Sequence, residues 1–167
     1  MKSKPKIILV RHGETEANLR RCFADWDDIP LTEAGRLQSR ELALRLSSEF
    51  RLEVLFSSTF LRARQTSEII ADALGLVTEV IPGIQERNFG CLRGHPYDQL
   101  GLRDPQWSPE GGESVDEVRR RAIAAVESLR DRYPSEEIVV VTHGAVIQAI
   151  CGVAVPPNCG LVVVTGF

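Results

Sequence analysis

The apolar run Ile7-Ile8-Leu9-Val10 gives way at once to Arg11-His12-Gly13. Four consecutive apolar residues without alternation predict a strand covered on both faces, the habit of a parallel sheet between two layers of helices. Such a strand releases an arginine and a histidine together at its carboxyl end, and Gly13 lets the backbone turn tightly after them. A guanidinium fork matches phosphate oxygens, and histidine is the side chain most readily held neutral and nucleophilic near pH 7.

The pattern recurs along the chain. Lys6–Val10 predicts the first strand, Glu53–Phe56 a second closed by Ser57-Ser58, and Thr78–Ile84 a third whose end Pro82 confines to an edge or a turn. Ile138–Val141 is apolar throughout and stops at Thr142-His143-Gly144, and Leu161–Thr165 is the last strand candidate. Helical signals alternate with these strands. Thr32 predicts an N-cap with Glu33 in the first turn, and Leu37, Leu42, Leu44, Leu46 and Phe50 predict one apolar helix face. Leu61–Leu74 predicts a helix ended by Gly75. Ser114 and Glu117 form a capping box that opens a helix to about Tyr133, with Val118, Ala122, Ala125, Val126 and Leu129 apolar and Pro134 beyond its end. Ala145–Cys151 completes the set. Residues 20–30 are irregular, and residues 85–112 are rich in Gly and Pro, a stretch of the length that forms a lid or a binding wall. The expected fold is a three-layer α/β/α sandwich with a mostly parallel central sheet, as one domain over residues 1–167.

Composition narrows the function. At 167 residues, 43% hydrophobic, 26% charged and with a net charge of −3, the chain has an ordinary globular composition and no bulk positive charge to hold nucleic acid. It contains no apolar run of the ~18 residues that span a membrane. The basic start at Met1–Lys6 is followed by an apolar stretch well short of the ~7–15 residues of a signal peptide, so a cytoplasmic location is expected. Cys22, Cys91, Cys151 and Cys159 are scattered without a C-x-x-C pair and read as reduced thiols.

Open α/β sheets bind ligands beyond the carboxyl ends of their strands. Arg11 and His12 follow the first predicted strand, Ser58 and Arg62 the second, Glu86 the third and His143 the fourth. Local alternatives accompany these assignments. Asn18 suits a helix cap, Glu86 a loop salt bridge with Arg87, Glu14 and Thr15 the ordering of a turn, and Glu113 the electrostatics of a helix start. Arg64 and His95 read as surface residues. Phe23, Trp26 and Trp107 suit either the core or a pocket wall.

Six motifs in order resemble the histidine phosphatase superfamily, also called the phosphoglycerate-mutase-like family. They are Arg11-His12-Gly13-Glu14-Thr15 with Asn18, Leu31-Thr32-Glu33-Ala34-Gly35, Ser58-Thr59-Phe60-Leu61-Arg62, Glu86 to Gly90, Gly112-Glu113-Ser114 and Thr142-His143-Gly144. The resemblance implies a phosphoglycerate-mutase-like fold, with His12 as a nucleophile that becomes phosphorylated. Arg11, Arg62 and His143 would bind phosphoryl oxygens with help from Asn18, and Glu86 would donate the proton. Gly144 and Arg87 complete the candidate binding set. Phosphoryl transfer depends mainly on positioning and cationic donors, which these residues supply.

Three protonation requirements follow. The attacking nitrogen of His12 must be unprotonated, which a hydrogen bond from its other ring nitrogen to a backbone carbonyl would secure. His143 is expected to be protonated beside phosphate, with its titration coupled to that of His12. Glu86 faces opposed influences: neighbouring arginines lower its pKa, while burial and phosphate raise it, so it is expected to become a competent acid mainly in the substrate complex. Two arginines, two histidines and a single carboxylate do not suit Mg²⁺, so neither a metal nor another cofactor is expected.

Within the family, Glu86-Arg87-Asn88-Phe89-Gly90 resembles the mutase segment, and Arg93 stands where phosphatases often have glutamate. The short stretch from Gly94 to Gly111 and the end of the chain soon after its last strand favour water reaching a phosphoenzyme. The expected activity is therefore hydrolysis of small phosphate monoesters. A phosphoglycerate mutase and a non-catalytic phosphate- or phosphoprotein-binding module are the alternatives, and residues 20–30 and 87–111 are expected to line the entrance. The expected partner is a small phosphorylated molecule, with neither nucleic acid nor membrane involved.

Overall fold

The computed structural model describes residues 6–24, 29–99 and 104–166. Five strands, β1 (Ile7–Arg11), β2 (Leu52–Ser57), β3 (Thr78–Val80), β4 (Glu137–Thr142) and β5 (Leu161–Val164), form one sheet in the order β3-β2-β4-β1-β5. The first four are parallel and β5 runs antiparallel to β1, which makes the sheet mostly parallel as expected. Among the described residues five α-helices accompany the sheet: α1 (Glu16–Leu19), α2 (Glu33–Glu49), α3 (Leu61–Leu74), α4 (Val115–Arg132) and α5 (Gly144–Cys151).

The unbroken apolar strands are explained by the two cores they serve. Side chains alternate across a sheet, so Ile7 and Leu9 of β1 and Ile138 and Val140 of β4 pack under α4 and α5, with Val118, Ala122, Val126, Leu129 and Ile147. Ile8 and Val10, with Val139 and Val141, face α2 and α3 and meet Leu42, Ala43, Leu46, Ala63 and Ile70. Each fully buried Ile or Leu contributes ~1.5–3 kcal/mol of transfer free energy, so both helical layers are held by the same central strands. Among the described residues no helix is long and apolar enough to cross a membrane.

Several expected boundaries hold. Thr32 caps α2 by accepting from the Gly35 N–H, Gly75 ends α3 at φ 67°, and Ser114 and Glu117 form the capping box of α4. Two expectations need correction. The apolar stripe of α2 is Gly35, Ser39, Leu42, Ala43 and Leu46, while Leu37 and Leu44 are 53% and 71% exposed. Leu37 and Leu44 lie one heptad apart, on the far side of the helix from Leu42 and Leu46. The third strand stops at Val80 rather than Ile84. Ile81 still donates its N–H to Ser57 O at 2.9 Å, but Pro82 has no N–H to offer and Gly83 turns the chain at φ 89°.

Residues 85–112 are less structureless than their composition suggests. Short 3₁₀ turns occupy Gly90–Leu92 and Tyr97–Gln99, and Phe89 is buried against Phe23 with ring centroids 4.2 Å apart. The stretch zips onto the segment after α1: Phe23 N–H donates to His95 O, Gly94 N–H to Phe23 O and Tyr97 N–H to Arg21 O. Phe23 is therefore a wall residue with a buried ring, Trp107 is half-buried, and Trp26 lies outside the described residues.

Gly13 and Gly35 explain why two motifs far apart in sequence both need glycine. A Cβ on Gly35 would drive into the Glu14 carbonyl, and one on Gly13 would come within 2.5 Å of the Gly35 carbonyl oxygen. The turn after β1 and the first turn of α2 thus touch backbone to backbone. Gly35→Ala is expected to cost about 1–3 kcal/mol of stability, because the clash is with main chain that cannot rotate away. Urea denaturation checks this, and an unchanged midpoint would show that the two turns have room to separate.

Candidate active site

The four parallel strands bring their polar residues to one end of the sheet. His12 leaves β1 with its N–H bonded to Thr142 O of β4 at 3.0 Å, so the two strand ends that carry the histidines are laced together. The rings of His12 and His143 lie edge to face with centroids 5.2 Å apart, and both residues are buried. Arg62, in the first turn of α3, is only 1% exposed, which removes it from the class of solvated helix arginines. Its guanidinium lies 5.0 Å over the Phe60 ring. Thr66, one turn further on, ties α3 to the histidine turn: its hydroxyl accepts from Gly13 N–H at 3.0 Å and donates to Arg62 O at 2.8 Å.

The tautomer of His12 is set by its own backbone. Nδ1 lies 2.7 Å from the Gly13 carbonyl, which can only accept, so Nδ1 carries the proton and Nε2 keeps its lone pair. Burial holds the His12 pKa well below 6.5, with Arg62 and Arg11 adding to the effect and the Gly13 bond opposing it. His143 is also held well below 6.5, by burial first and then by Arg62, His12, Arg121 and Arg11. In the resting site both imidazoles are therefore neutral, and a protonated His143 would need a bound anion. Its Nε2 lies 2.8 Å from the Ser58 hydroxyl, while Nδ1 is buried without a hydrogen-bond partner among the described residues.

Glu86 arrives by a different route, six residues beyond the end of β3. One carboxylate oxygen accepts from the Arg87 backbone N–H at 2.9 Å, and the Glu86 charge also acts on the Arg87 guanidinium. Burial raises the Glu86 pKa above its ordinary value, outweighing the opposite pull of Arg62, the Arg87 N–H, Arg11 and Arg121. The opposition between burial and arginines is thus resolved in favour of burial before any substrate binds.

The remaining expected site residues divide. Arg11 is half-buried, donates from Nη1 to Pro156 O at 2.7 Å, and lies against Gly144, where a Cβ would come within 3.4 Å of Arg11 Nε. Asn18 receives three donors on its Oδ1, from Thr15 N–H, the Thr15 hydroxyl and Asn158 Nδ2, all at 3.0–3.1 Å. It stands at the start of α1 and so orders a helix end as well as facing the site. Arg87 is buried, with Nε donating to Glu113 O at 2.8 Å and Nη2 to Trp107 O at 3.4 Å, which makes it a strut of the wall in this structure. Glu14 and Thr15 order the turn, with the Glu14 carboxylate accepting from the Thr32 hydroxyl at 2.8 Å. His95 is exposed.

Sequence reasoning missed three contributors, Asn158, Tyr97 and Arg121. Asn158 donates to His12 O at 3.1 Å and to Asn18, and Tyr97 receives the Asn18 amide at 3.3 Å. Arg121 and Glu113 pair at 2.7 Å beside the Glu86 loop. Glu113, by contrast, was visible in the motif Gly112-Glu113-Ser114, with a helix-start role as the local alternative. Among the described residues no group of three or more His, Cys, Asp or Glu side chains is arranged to hold a metal ion.

An α/β sandwich with two histidines, two arginines and a glutamate beyond one end of its parallel strands is of a class suited to handling phosphoryl groups. The sequence model of the histidine phosphatase superfamily (branch 1) matches residues 7–158, and the chain belongs to that superfamily. It is 35% identical over 159 residues to phosphoglycerate mutase-like protein 4 of Arabidopsis thaliana, covering 87% of this chain and 69% of the relative. It is 31% identical over 144 residues to an uncharacterized phosphatase, PhoE, of Bacillus subtilis, covering 86% and 74% respectively. The fold also matches a mycobacterial glucosyl-3-phosphoglycerate phosphatase solved with VO3, at a TM-score of 0.89 and 25% identity over 98% of this chain and 92% of that one.

The neutral histidines carry a stability consequence of definite sign. With the folded pKa depressed below 6.5, the stability His12 contributes is fully present above that value and is lost as the pH falls through the folded value. Between pH 8 and pH 5 the wild-type chain is expected to lose up to about 2 kcal/mol more than His12→Gln. Parallel urea-denaturation profiles for the two chains would mean that His12 ionises as freely folded as unfolded.

Proposed function

We propose that the chain is a phosphomonoesterase that hydrolyses small phosphate esters through a phosphohistidine on His12. The observation that carries this reading is the 2.7 Å contact between His12 Nδ1 and Gly13 O. It leaves the Nε2 lone pair available in a pocket where Arg11, Arg62 and His143 supply donors. In the first step Nε2 attacks phosphorus, the N–P bond forms as the ester P–O bond breaks, and Glu86 gives its proton to the departing oxygen. The Nδ1–H bond to the Gly13 carbonyl persists and eases the positive charge that develops on the ring. In the second step water attacks phosphorus, Glu86 takes the proton back, and the N–P bond breaks to release inorganic phosphate and neutral His12.

Each donor has a role in this scheme. Arg11 and Arg62 neutralise charge on the phosphoryl oxygens, which is where charge lies in a loose transition state. His143 receives the Ser58 hydroxyl proton at Nε2 and directs an Nδ1–H to the phosphoryl group, a role open to the neutral ring that burial enforces. Asn18 and Gly144 border the same oxygens, and Arg87 keeps the wall closed behind Glu86. No step calls on a metal ion. The phosphatases among the similar proteins support hydrolysis, and the mutase-like relative keeps return of the phosphoryl group to an organic acceptor as the second reading.

Incubation with p-nitrophenyl phosphate is expected to release phosphate, with an acid-labile phosphoenzyme that His12→Ala abolishes. Conversion of 3-phosphoglycerate to 2-phosphoglycerate without phosphate release would favour the mutase, and no reaction with either would favour a binding module. Activity is expected to survive EDTA, whereas full loss restored by Mg²⁺ would overturn the metal-independent scheme. Glu86→Gln is expected to lower kcat/KM, which the shared water step does not enter, by roughly 10²–10⁴-fold for alkyl phosphates and far less for aryl phosphates, since an aryl oxide leaves without a proton. Equal losses on both substrate types would remove Glu86 as the acid.

A further inference from the structure

Glu86 is the one reactive group in the site that no strand end or helix end holds. β3 stops at Val80, and Glu86 sits in an irregular loop beyond Gly83. A loop of this kind has carbonyls that point away from any ladder and need donors. Three of the four carbonyls from Gly83 to Glu86 take their donors from a single side chain on α4. Arg121 directs Nη1 to Gly83 O and Gln85 O, both at 2.8 Å, and Nη2 to Glu86 O at 3.1 Å. Its other N–H groups go to the Glu113 carboxylate, Nε to Oε1 at 2.7 Å and Nη2 to Oε2 at 2.9 Å. All five guanidinium N–H donors are thereby engaged. The remaining carbonyl of the run, Ile84 O, accepts from the Thr142 hydroxyl at 2.8 Å, one residue before His143.

Glu113 closes the clasp from the other side. Its Oε2 accepts from Asn88 N–H at 2.8 Å, its backbone N–H donates to Asn88 O at 2.8 Å, and its backbone carbonyl accepts from Arg87 Nε at 2.8 Å. The loop is therefore gripped on both sides of Glu86. The Arg121 and Glu113 side chains are each 23% exposed, so the pair is shielded from the screening that makes surface ion pairs weak.

We propose that Arg121, oriented by Glu113, is a positioning residue for the proton donor Glu86 and sets where its carboxyl sits relative to the leaving oxygen. The inference rests on the acid role proposed for Glu86. Its physical basis is that proton transfer in the transition state requires heavy atoms within about 2.6–3.2 Å, a tolerance that an unanchored loop exceeds. Attack on phosphorus depends instead on His12, Arg11, Arg62 and His143, which the sheet and α3 hold without Arg121. Lysine cannot take its place, because an ammonium has three donors and no planar fork.

The test is the leaving-group dependence of Arg121→Lys, of Glu113→Gln, and of each combined with Glu86→Gln. Arg121→Lys is expected to lower kcat/KM roughly 10–100-fold on glycerol phosphate while kcat/KM on p-nitrophenyl phosphate stays within roughly threefold. KM for glycerol phosphate is expected to hold, and Arg121→Lys is expected to add nothing further to the kcat/KM loss in the Glu86→Gln background. Glu113→Gln is expected to follow the same pattern more weakly, and it is read alone if Arg121→Lys loses the wild-type circular dichroism. Equal losses on aryl and alkyl substrates, or losses that multiply with those of Glu86→Gln, would make the clasp a general staple between α4 and the loop and overturn the proposal. If Glu86→Gln itself lacks leaving-group dependence, the acid role fails first.

Discussion

Arg62 is the residue on which the electrostatics of the site depend. A guanidinium that is 1% exposed keeps its charge while losing most of its hydration, and such a group is costly to hold. Its field is among the leading influences on all three titratable groups around it. It depresses both histidines, in the same direction as their burial, and it opposes the burial that raises Glu86. The result is a resting pocket with neutral imidazoles and standing positive charge from arginine. In the proposed reaction a phosphate dianion brings its negative charge to this cationic pocket, and the arginine field becomes part of the binding interaction.

The sheet and the loops divide the geometric work. His12 and His143 leave adjacent strands, and β1 and β4 are paired from Ile7–Ile138 through Arg11–Thr142, so the separation of the two rings follows from strand register. Arg62 is one helical turn from Thr66, whose hydroxyl joins the Arg62 carbonyl to the Gly13 amide. These are short paths through regular structure. The path to Glu86 runs through an irregular loop, and there one guanidinium and one carboxylate substitute for a strand. In the proposed scheme the phosphorus-handling groups are fixed through the core and the proton-handling group through a separate, partly buried ion pair.

What could be read from the sequence follows the same division. Runs such as Ile138–Val141 and caps such as Thr32 and Ser114 declare themselves because strand burial and helix capping are local in sequence. The convergence of Arg11, His12, Arg62, Glu86 and His143 was visible because parallel strands share one carboxyl end. The overlong third strand failed at Pro82 and Gly83, beyond the last ladder bond at Ile81, and apolar Ile84 is buried past the turn rather than by pairing. Leu37 and Leu44 looked like core because hydrophobicity alone does not say which side of a helix the chain will use. Arg121 was silent for a stricter reason. Its loop partners are backbone carbonyls 35 to 38 residues away, and a carbonyl leaves no mark in a sequence.

Asn18 shows how the wall and the site are joined. An amide can be turned either way, and its orientation is settled by its neighbours. Here three donors converge on one end: the Thr15 N–H, the Thr15 hydroxyl and the Asn158 amide. That end must be the oxygen, so the opposite end is the NH₂, 3.3 Å from the Tyr97 hydroxyl. Tyr97 in turn packs on Phe23, with centroids 5.2 Å apart, and donates its own N–H to Arg21 O. One N–H of Asn18 is thus spent on the wall, and the second remains for a phosphoryl oxygen in the proposed scheme. Any substrate group that shifts Tyr97 must therefore disturb an amide whose oxygen is already fixed. Through that amide, Tyr97 is joined to Asn158 and to the His12 carbonyl, so in the proposed scheme the residues that choose a substrate also tune how it is held.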